Sequence, residues 1–385
     1  MAMTPYLTTP FHDRIAPLCE TDAWQRWEGY TTVVTVTALD EEYFAIRNAA
    51  TLFDTSPLRN YRVAGAHAER FVDRLITRDI TRCAVDQVYY SGWCDDAGKL
   101  IEDGTIMRLG ADEFQINAQE ANLRWFEDTA YGLDVAIHEV TEDIASLALQ
   151  GPLSLTLLRD LGLAGIDALA PFRIARFELD GARLMVSRTG FTGDLGYELW
   201  IAPAHAGMLW DRLMAAGGAR PPIVIGSAAL DLARIEAGFI QVNTEFISAT
   251  RTLRPSRTRS PYELGLDWTV NLGKDHFVGK RALAAEQARG GPRRRLVGLD
   301  IAGKKPAVDS FLYAGKTEVG RTTSAIWSPV LKRNIALASV ASAYAAEGTE
   351  LQADIWHTKE LKIERIMAPC RVVSRRFYGA SRRCR

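Results

Sequence analysis

The sequence predicts an α+β protein, a body of two similar modules followed by a small β domain. Three observations carry this reading. Residues 88–117 run strand, turn, strand, turn, strand into a helix, and residues 144–215 repeat that mixture of strands and helices. The stretch Ala288-Arg289-Gly290-Gly291-Pro292-Arg293-Arg294-Arg295 has no periodicity and interrupts the composition, and after it only short strand patterns occur. At 385 residues the chain exceeds one ordinary domain and can bury a substantial core.

Each element has its own signal. Leu39 to Ala50 places apolar residues at helical spacing behind an acidic first turn, and Phe53-Asp54-Thr55-Ser56-Pro57 ends the pattern. His67 to Ile76 reads as a second helix with Phe71, Leu75 and Ile76 toward the core and His67 as a surface or capping residue. Val88 to Trp93, Leu100 to Leu109 and Glu113 to Asn117 read as strands joined by turns at Asp95–Gly98 and Gly110–Asp112, and Ala121 to Tyr131 as helix. The second block gives strands at 144–150, 175–179 and 184–187, and helices at 153–161 and 206–215. Past the Arg-rich break, 296–301, 318–320, 334–340 and 351–356 are short strands. This divides the chain into a body at 1–287, a β domain at 296–370 and a tail at 371–385, whose six arginines and lack of acids predict a solvated segment.

Composition excludes several classes. With 46 basic against 47 acidic residues, the main body carries no nucleic-acid footprint. Cys19, Cys83, Cys94, Cys370 and Cys384 are odd in number and scattered without a CxxC pair, as expected of a reducing cytoplasm and no zinc site. The histidines show no metal-ligand spacing. No apolar run nears the ~20 residues of a membrane span and the N-terminus lacks a signal-peptide pattern. The expectation is a soluble, unprocessed, cytoplasmic protein without membrane or metal.

The stretch Thr189-Gly190-Phe191-Thr192-Gly193-Asp194-Leu195-Gly196-Tyr197-Glu198-Leu199-Trp200 is the most informative in the chain. Three glycines precede a strand on which Glu198 is the one charge among apolar residues, so a buried Glu198 requires donors. A flat heterocycle presenting two adjacent N–H groups, such as a pterin or guanine, suits a bidentate carboxylate. The competing reading is a hairpin turn and an exposed glutamate. Likewise Glu102-Asp103, beside Tyr90 and Trp93 on the neighbouring strand, reads either as exposed turn acids or as a proton-transfer site. Adjacent strand residues point to opposite faces, so only one of the two acids enters a given pocket.

Taken together, Glu42 to Ser56, Tyr90-Ser91-Gly92, Ala148 to Pro152, Thr189 to Glu198, Asp231 to Gly238, Phe277 to Leu283, Thr323-Ser324 and Ser328 to Ala338 resemble the glycine-cleavage T-protein (aminomethyltransferase) superfamily, in family order over most of the chain. The resemblance implies a three-domain cloverleaf: two related α/β modules around a folate channel, plus a small C-terminal β-barrel-like domain. It implies tetrahydrofolate as cofactor and one-carbon transfer as chemistry. By position, Glu198 resembles the carboxylate that grips the pterin edge, Tyr90 and Asn117 align with folate-pocket residues, and Glu102-Asp103 falls on an Asp-Asp segment holding the catalytic acid. Glu102, Asp103 and Tyr90 are therefore the catalytic candidates, with Glu198, Asn117, Tyr90 and Asp103 expected at the folate.

The departures bear on the donor. In place of the family's His-x-Gly-Trp-x-Met-Pro-Leu-like segment stands Trp24-Gln25-Arg26-Trp27-Glu28-Gly29-Tyr30-Thr31-Thr32-Val33-Val34, and Leu230 replaces an arginine of Gly-Ala-Arg-Asp. Losing an arginine removes a charge and five donors. Trp27, Tyr30 and Trp93 are accordingly expected in a substrate pocket for a small methylated molecule. The leading expectation is a tetrahydrofolate-dependent methyltransferase that demethylates an O-methyl donor, a methoxy-aromatic acid first, or an S-methyl donor to give 5-methyl-tetrahydrofolate. Aminomethyl transfer in glycine cleavage, which needs a lipoyl carrier protein, and a non-catalytic folate-binding protein are the alternatives. The basic residues Arg251, Arg254, Arg257 and Arg259 read as a solvated loop or as a contact for the folate glutamate tail.

Overall fold

The computed structural model describes residues 6–379. Its body holds a six-stranded sheet, a five-stranded sheet and a three-stranded sheet, and its C-terminal part is a closed six-stranded barrel. The chain lays Thr51–Asp54 into the six-stranded sheet, leaves to build the whole five-stranded sheet, and returns with Ala145–Gln150 antiparallel to Thr51–Asp54. The two modules are thus threaded through one another.

Each sheet buries one face. Phe71, Leu75 and Ile76 pack with Tyr61, Trp93, Ile106, Phe114 and Phe126 behind the five-stranded sheet. Leu52, Leu147, Leu149, Tyr197 and Leu199 pack with Leu157, Leu209 and Leu213 behind the six-stranded one. Burying such side chains contributes roughly 1.5–3 kcal/mol each. The opposite faces turn toward each other across a cavity.

The helix Leu39–Asn48 and the helix Ser227–Ala237 lie together beneath that cavity, pinned by buried charge. Arg47 Nη2 donates to Glu236 Oε2 at 2.6 Å and Nη1 to the Thr192 carbonyl at 2.8 Å, while Tyr43 Oη donates to Glu236 Oε1 at 2.6 Å. Arg234 Nη1 meets Glu245 Oε2 at 2.8 Å, and Ser324 of the barrel accepts from Arg234 Nη2. Two of the stretches quoted above, Glu42 to Ser56 and Asp231 to Gly238, are therefore joints between parts of the molecule.

Most elements foreseen from the sequence are present within one to three residues, but the strand foreseen at 318–320 runs over Thr317–Ser328, and strands Ala23–Trp27, Tyr30–Thr35, Arg59–Ala64, Ala136–Glu139, Phe311–Ala314 and Lys362–Val373 and helices Ser227–Ala237 and Lys280–Ala288 were not foreseen. The expected solvated tail is corrected over its described part. Residues 371–373 finish the last barrel strand, pairing with 298–300. Beyond them Arg375 donates to the Leu264 and Gly265 carbonyls, and the Phe377 and Tyr378 amides donate to the Glu236 carbonyl at 3.0 and 2.8 Å. Open backbone acceptors at the end of a helix recruit the segment into the body. No helix among the described residues is long and apolar enough to cross a membrane.

Candidate active site

A cavity of about 990 Å³ opens between the two large sheets, walled also by the helix Ser227–Ala237 and by Arg375 and Arg376. This is the size of a site for a substantial organic ligand.

One wall comes from strands Gln87–Cys94, Leu100–Arg108 and Glu113–Ala118. Their register sets Tyr90 opposite Thr105, Gly92 opposite Asp103, and Thr105 opposite Asn117. Strand alternation therefore puts Tyr90, Asp103, Thr105 and Asn117 on one face. Tyr90 Oη donates to Asp103 Oδ2 at 2.6 Å. Asn117 Nδ2 donates to Thr105 Oγ1 at 2.9 Å and Asn117 Oδ1 accepts from Gln115 at 2.9 Å. Burial pushes the Asp103 carboxyl up to about 6, against the pull of the Tyr90 hydroxyl. Burial and the neighbouring Asp103 hold the Tyr90 phenol well above its usual range, so Tyr90 stays the donor.

Glu102 takes the other face. Its Oε1 accepts from the Gln119 and Glu120 amides at 2.5 and 3.0 Å, and Oε2 accepts from Asn122 Nδ2 at 2.5 Å. Burial, then Asp103, raises its carboxyl well above the ordinary value, and these donors temper the rise. Glu102 also borders the cavity, yet its donors make it a brace for the turn at 119–122. That turn carries Gln119 to the cavity, where it accepts from Gln241 at 3.2 Å.

The facing wall presents Glu198 on strand Gly196–Ile201. Thr189 Oγ1 and Ser187 Oγ both donate to Oε2, at 2.5 and 3.3 Å, so Oε1 keeps its accepting capacity. Burial raises the carboxyl and the two hydroxyls lower it. The glycine-rich turn has a local cause. A Cβ at Gly190 or Gly196 would fall 2.1–2.2 Å from Gln150 Oε1, while Gln150 Nε2 reaches the Thr189 and Tyr197 carbonyls. Gly193 has φ +73°, and a Cβ there would meet Ala237 at 2.6 Å. Phe191 from this turn stacks on Phe239 at 5.6 Å, both in the cavity wall.

The structure thus gathers Tyr90, Asp103, Asn117, Glu198, Trp27 and, from behind, Glu102 around one space. It does not bring Trp93 or Tyr30 there. Trp93 is fully buried on the Glu102 side, donates to Asn122 Oδ1 at 3.1 Å and packs edge-on against Phe126. A Cβ at Gly104 would fall 2.2 Å from the Asn117 carbonyl oxygen and 3.1 Å from the Trp93 ring, which is why that rung is glycine. Tyr30 is buried at the start of the central strand of the three-stranded sheet, Tyr30–Thr35, and does not line the cavity. Trp27 does, packed against Phe53 at 6.1 Å. Leu230 shares this apolar end with Trp27, Phe53 and Ala148.

Sequence reasoning missed Trp268, stacked on Tyr90 at 6.0 Å, and Arg375. The aromatic Trp268 lay in a loop with no motif, and Arg375 sat in a stretch read as tail. Arg251 pairs with Glu120 at 3.1 Å, and none of Arg251, Arg254, Arg257 and Arg259 lines the cavity. No group of three or more His, Cys, Asp or Glu side chains arranged to hold a metal occurs among the described residues.

Residues 9–274 match the GCVT N-terminal domain and residues 294–378 the glycine cleavage T-protein C-terminal barrel domain. The chain is 32% identical over 358 residues to an aminomethyltransferase of Desulfitobacterium hafniense (strain Y51), covering 91% of this chain and 94% of that one. It is 33% identical over 360 residues to a trimethylamine-oxide aldolase of Ruegeria pomeroyi, covering 89% of this chain and 44% of the relative. The fold is that of the glycine cleavage system aminomethyltransferase T from Bartonella henselae, with TM-score 0.83, 23% identity and coverage of 97% and 99% of the two chains. With both family domains in order over nearly its whole length, the chain belongs to the glycine-cleavage T-protein (aminomethyltransferase) family.

Proposed function

We propose that this protein transfers a one-carbon unit from a small methylated donor to tetrahydrofolate. The observation that carries the proposal is the placing of two carboxylates, Asp103 and Glu198, in facing walls of one large cavity where, among the described residues, their side-chain partners are hydroxyls.

The cavity fits a folate on its own terms. The adjacent N–H groups of a pterin edge need a carboxylate with an open oxygen, and Glu198 has its protein donors on Oε2 alone. Phe191 and Phe239 supply an aromatic surface beside it. Asn117 offers an amide at the end of its strand.

Tetrahydrofolate, when bound, supplies the amine that accepts the carbon. The protein's part is binding, orientation and one proton. Asp103 gives its proton to the departing heteroatom of the donor, and Tyr90 holds that carboxyl in place through its hydroxyl. The proton that the accepting amine would give up balances the one Asp103 supplies, and Asp103 would be the residue placed to take it back. Glu102 fixes the strand end and the 119–122 turn, so Asp103 is the acid and Glu102 the brace. The apolar end formed by Trp27, Phe53, Ala148 and Leu230 suits an O-methyl aromatic acid or S-methyl donor.

The competing reading is aminomethyl transfer from a lipoyl carrier protein, favoured by the full-length similarity to proteins named aminomethyltransferase. The relative named for trimethylamine oxide adds N-methyl amines to the donors to be tried. Incubation with tetrahydrofolate and methoxybenzoates, methylthio acids or N-methyl compounds, followed by mass spectrometry, separates the readings. Formation of 5-methyl-tetrahydrofolate from one donor class is expected. No product from any donor, but 5,10-methylene-tetrahydrofolate from an aminomethylated carrier, would return the chain to glycine cleavage.

A further inference from the structure

Four arginines line the cavity, Arg26, Arg234, Arg375 and Arg376, and among the described residues no lysine does. They are not equivalent. Arg234 is bound by Asp231 at 2.7 Å and by Glu245 at 2.8 Å, and Arg26 lies over the Tyr6 ring at 5.3 Å. Arg375 and Arg376 form no ion pair with any carboxylate among the described residues.

Arg375 is held in place before any ligand arrives. Its Nη1 and Nη2 donate to the Leu264 and Gly265 carbonyls. Two glycines make room for it. A Cβ at Gly265, where φ is +65°, would fall 3.1 Å from the guanidinium, and a Cβ at Gly238, where φ is +76°, would fall 2.3 Å from the Arg375 carbonyl oxygen. A guanidinium carries five N–H donors, so the two carbonyls leave most of the fork open in the cavity wall. Burial lowers its pKa, opposed by Tyr90, Asp267 and Glu245, while the like charge of Arg376 adds to the fall. A buried cation without a contacting counter-charge is costly, and an anion entering the cavity relieves that cost.

This cation stands within reach of the acid through one side chain. Tyr90 Oη donates to Asp103 at 2.6 Å, and the Arg375 charge acts on the same phenol. Trp268 stacks on Tyr90 at 6.0 Å and gives the wall an aromatic surface there.

We propose that Arg375, with Arg376 beside it, seats a carboxylate of the methyl donor, so that the substrate is an anion: a methylated acid whose carboxylate lies across an aromatic ring from the methylated heteroatom. The inference rests on the reading above, in which that heteroatom meets Asp103. A planar fork takes a carboxylate on two donors at once. A donor that carries an ammonium meets like charge instead. Arg375 is thus a specificity-determining residue, which selects the donor by charge. Tetrahydrofolate also carries carboxylates, in its glutamate, and the test separates the two sources.

The probes are 4-methoxybenzoate and 4-methoxybenzylamine, alike in shape and opposite in charge, each titrated calorimetrically into the full chain without and then with saturating tetrahydrofolate. The parent is expected to bind the benzoate about 10–100-fold more tightly than the amine under both conditions, the worth of a charge-assisted fork. Arg375→Gln is expected to erase that preference and Arg375→Lys to keep part of it. Arg376→Gln, at an exposed position, is expected to narrow it with unchanged circular dichroism. Equal binding of the two probes, binding of neither, a preference unchanged in Arg375→Gln, or one that tetrahydrofolate abolishes by filling the seat with its own glutamate overturns the proposal. The preference is read without methyl transfer, so a chain that prefers the benzoate and transfers nothing upholds the seat and contradicts only the proposed reaction.

Discussion

Two sets of carboxylates, one beneath the cavity and one in its walls, are treated differently. Beneath the cavity Glu236 faces Arg47 at 2.6 Å and Glu245 faces Arg234 at 2.8 Å, all four side chains being buried. In the cavity walls Asp103 and Glu198 meet only hydroxyls, from Tyr90 and from Ser187 and Thr189. A guanidinium cancels a carboxylate's charge, whereas a hydroxyl orients it and leaves the charge to be used. The first set joins the parts of the fold. The second borders the cavity without a cationic partner, and burial raises its carboxyls.

The difference is broken most severely in the paired set. Glu236→Ala takes from Arg47 its carboxylate partner at 2.6 Å, leaving the Thr192 and Ala233 carbonyls and Asp194 at 3.8 Å, and removes the acceptor of Tyr43 and Ser328, so a loss of about 3–5 kcal/mol is expected in urea unfolding. A midpoint equal to the parent's would show that the pair is not a joint.

In the unpaired set the effect moves from stability to rate. Asp103→Asn is expected to fold normally and to lower transfer by roughly 10²–10⁴-fold, as loss of a general acid does. The pH profile gives the sign. With the carboxyl held up to about 6, the proton-donating form dominates below that value, and the acid-limited rate falls as pH rises through it. The raised value also means that the folded chain keeps a proton the unfolded chain has released. Stability therefore falls as pH rises across roughly 4 to 6, and Asp103→Asn flattens that slope in unfolding measured at several pH values.

How much of this was legible beforehand differs between regions. That Glu198, Tyr90, Asn117 and Asp103 share one cavity could be read because the family resemblance falls on compact motifs carried by regular strands. Strand alternation excluded Trp93, three positions from Tyr90 and so on the opposite face, but an aromatic beside a suspected pocket outweighed parity. Tyr30 failed because its segment was weighed as an aromatic departure rather than as the strand Tyr30–Thr35, whose pairing turns the ring away from the cavity. The strand Lys362–Val373 hid its nature because half of it has an open edge and carries charges on both faces. Nothing local marks the docking of Arg375 to Tyr378, since its partners are carbonyls a hundred or more residues away.

Smaller effects sharpen the contrast. Trp93→Phe is expected to cost about 1–3 kcal/mol of stability through its lost hydrogen bond and packing, with the donor KM unchanged. Trp27→Ala is expected to shift the donor KM several-fold with less effect on unfolding. The reverse pattern would move the donor end of the cavity.

The most direct test is calorimetric titration of tetrahydrofolate into the parent chain and into Glu198→Gln, which keeps the shape of the side chain and removes its charge. The account predicts binding by the parent and a loss of about 10–100-fold in the variant, the worth of a charge-assisted hydrogen bond in a buried wall. Equal affinity in the two proteins, or no binding by the parent, would contradict it.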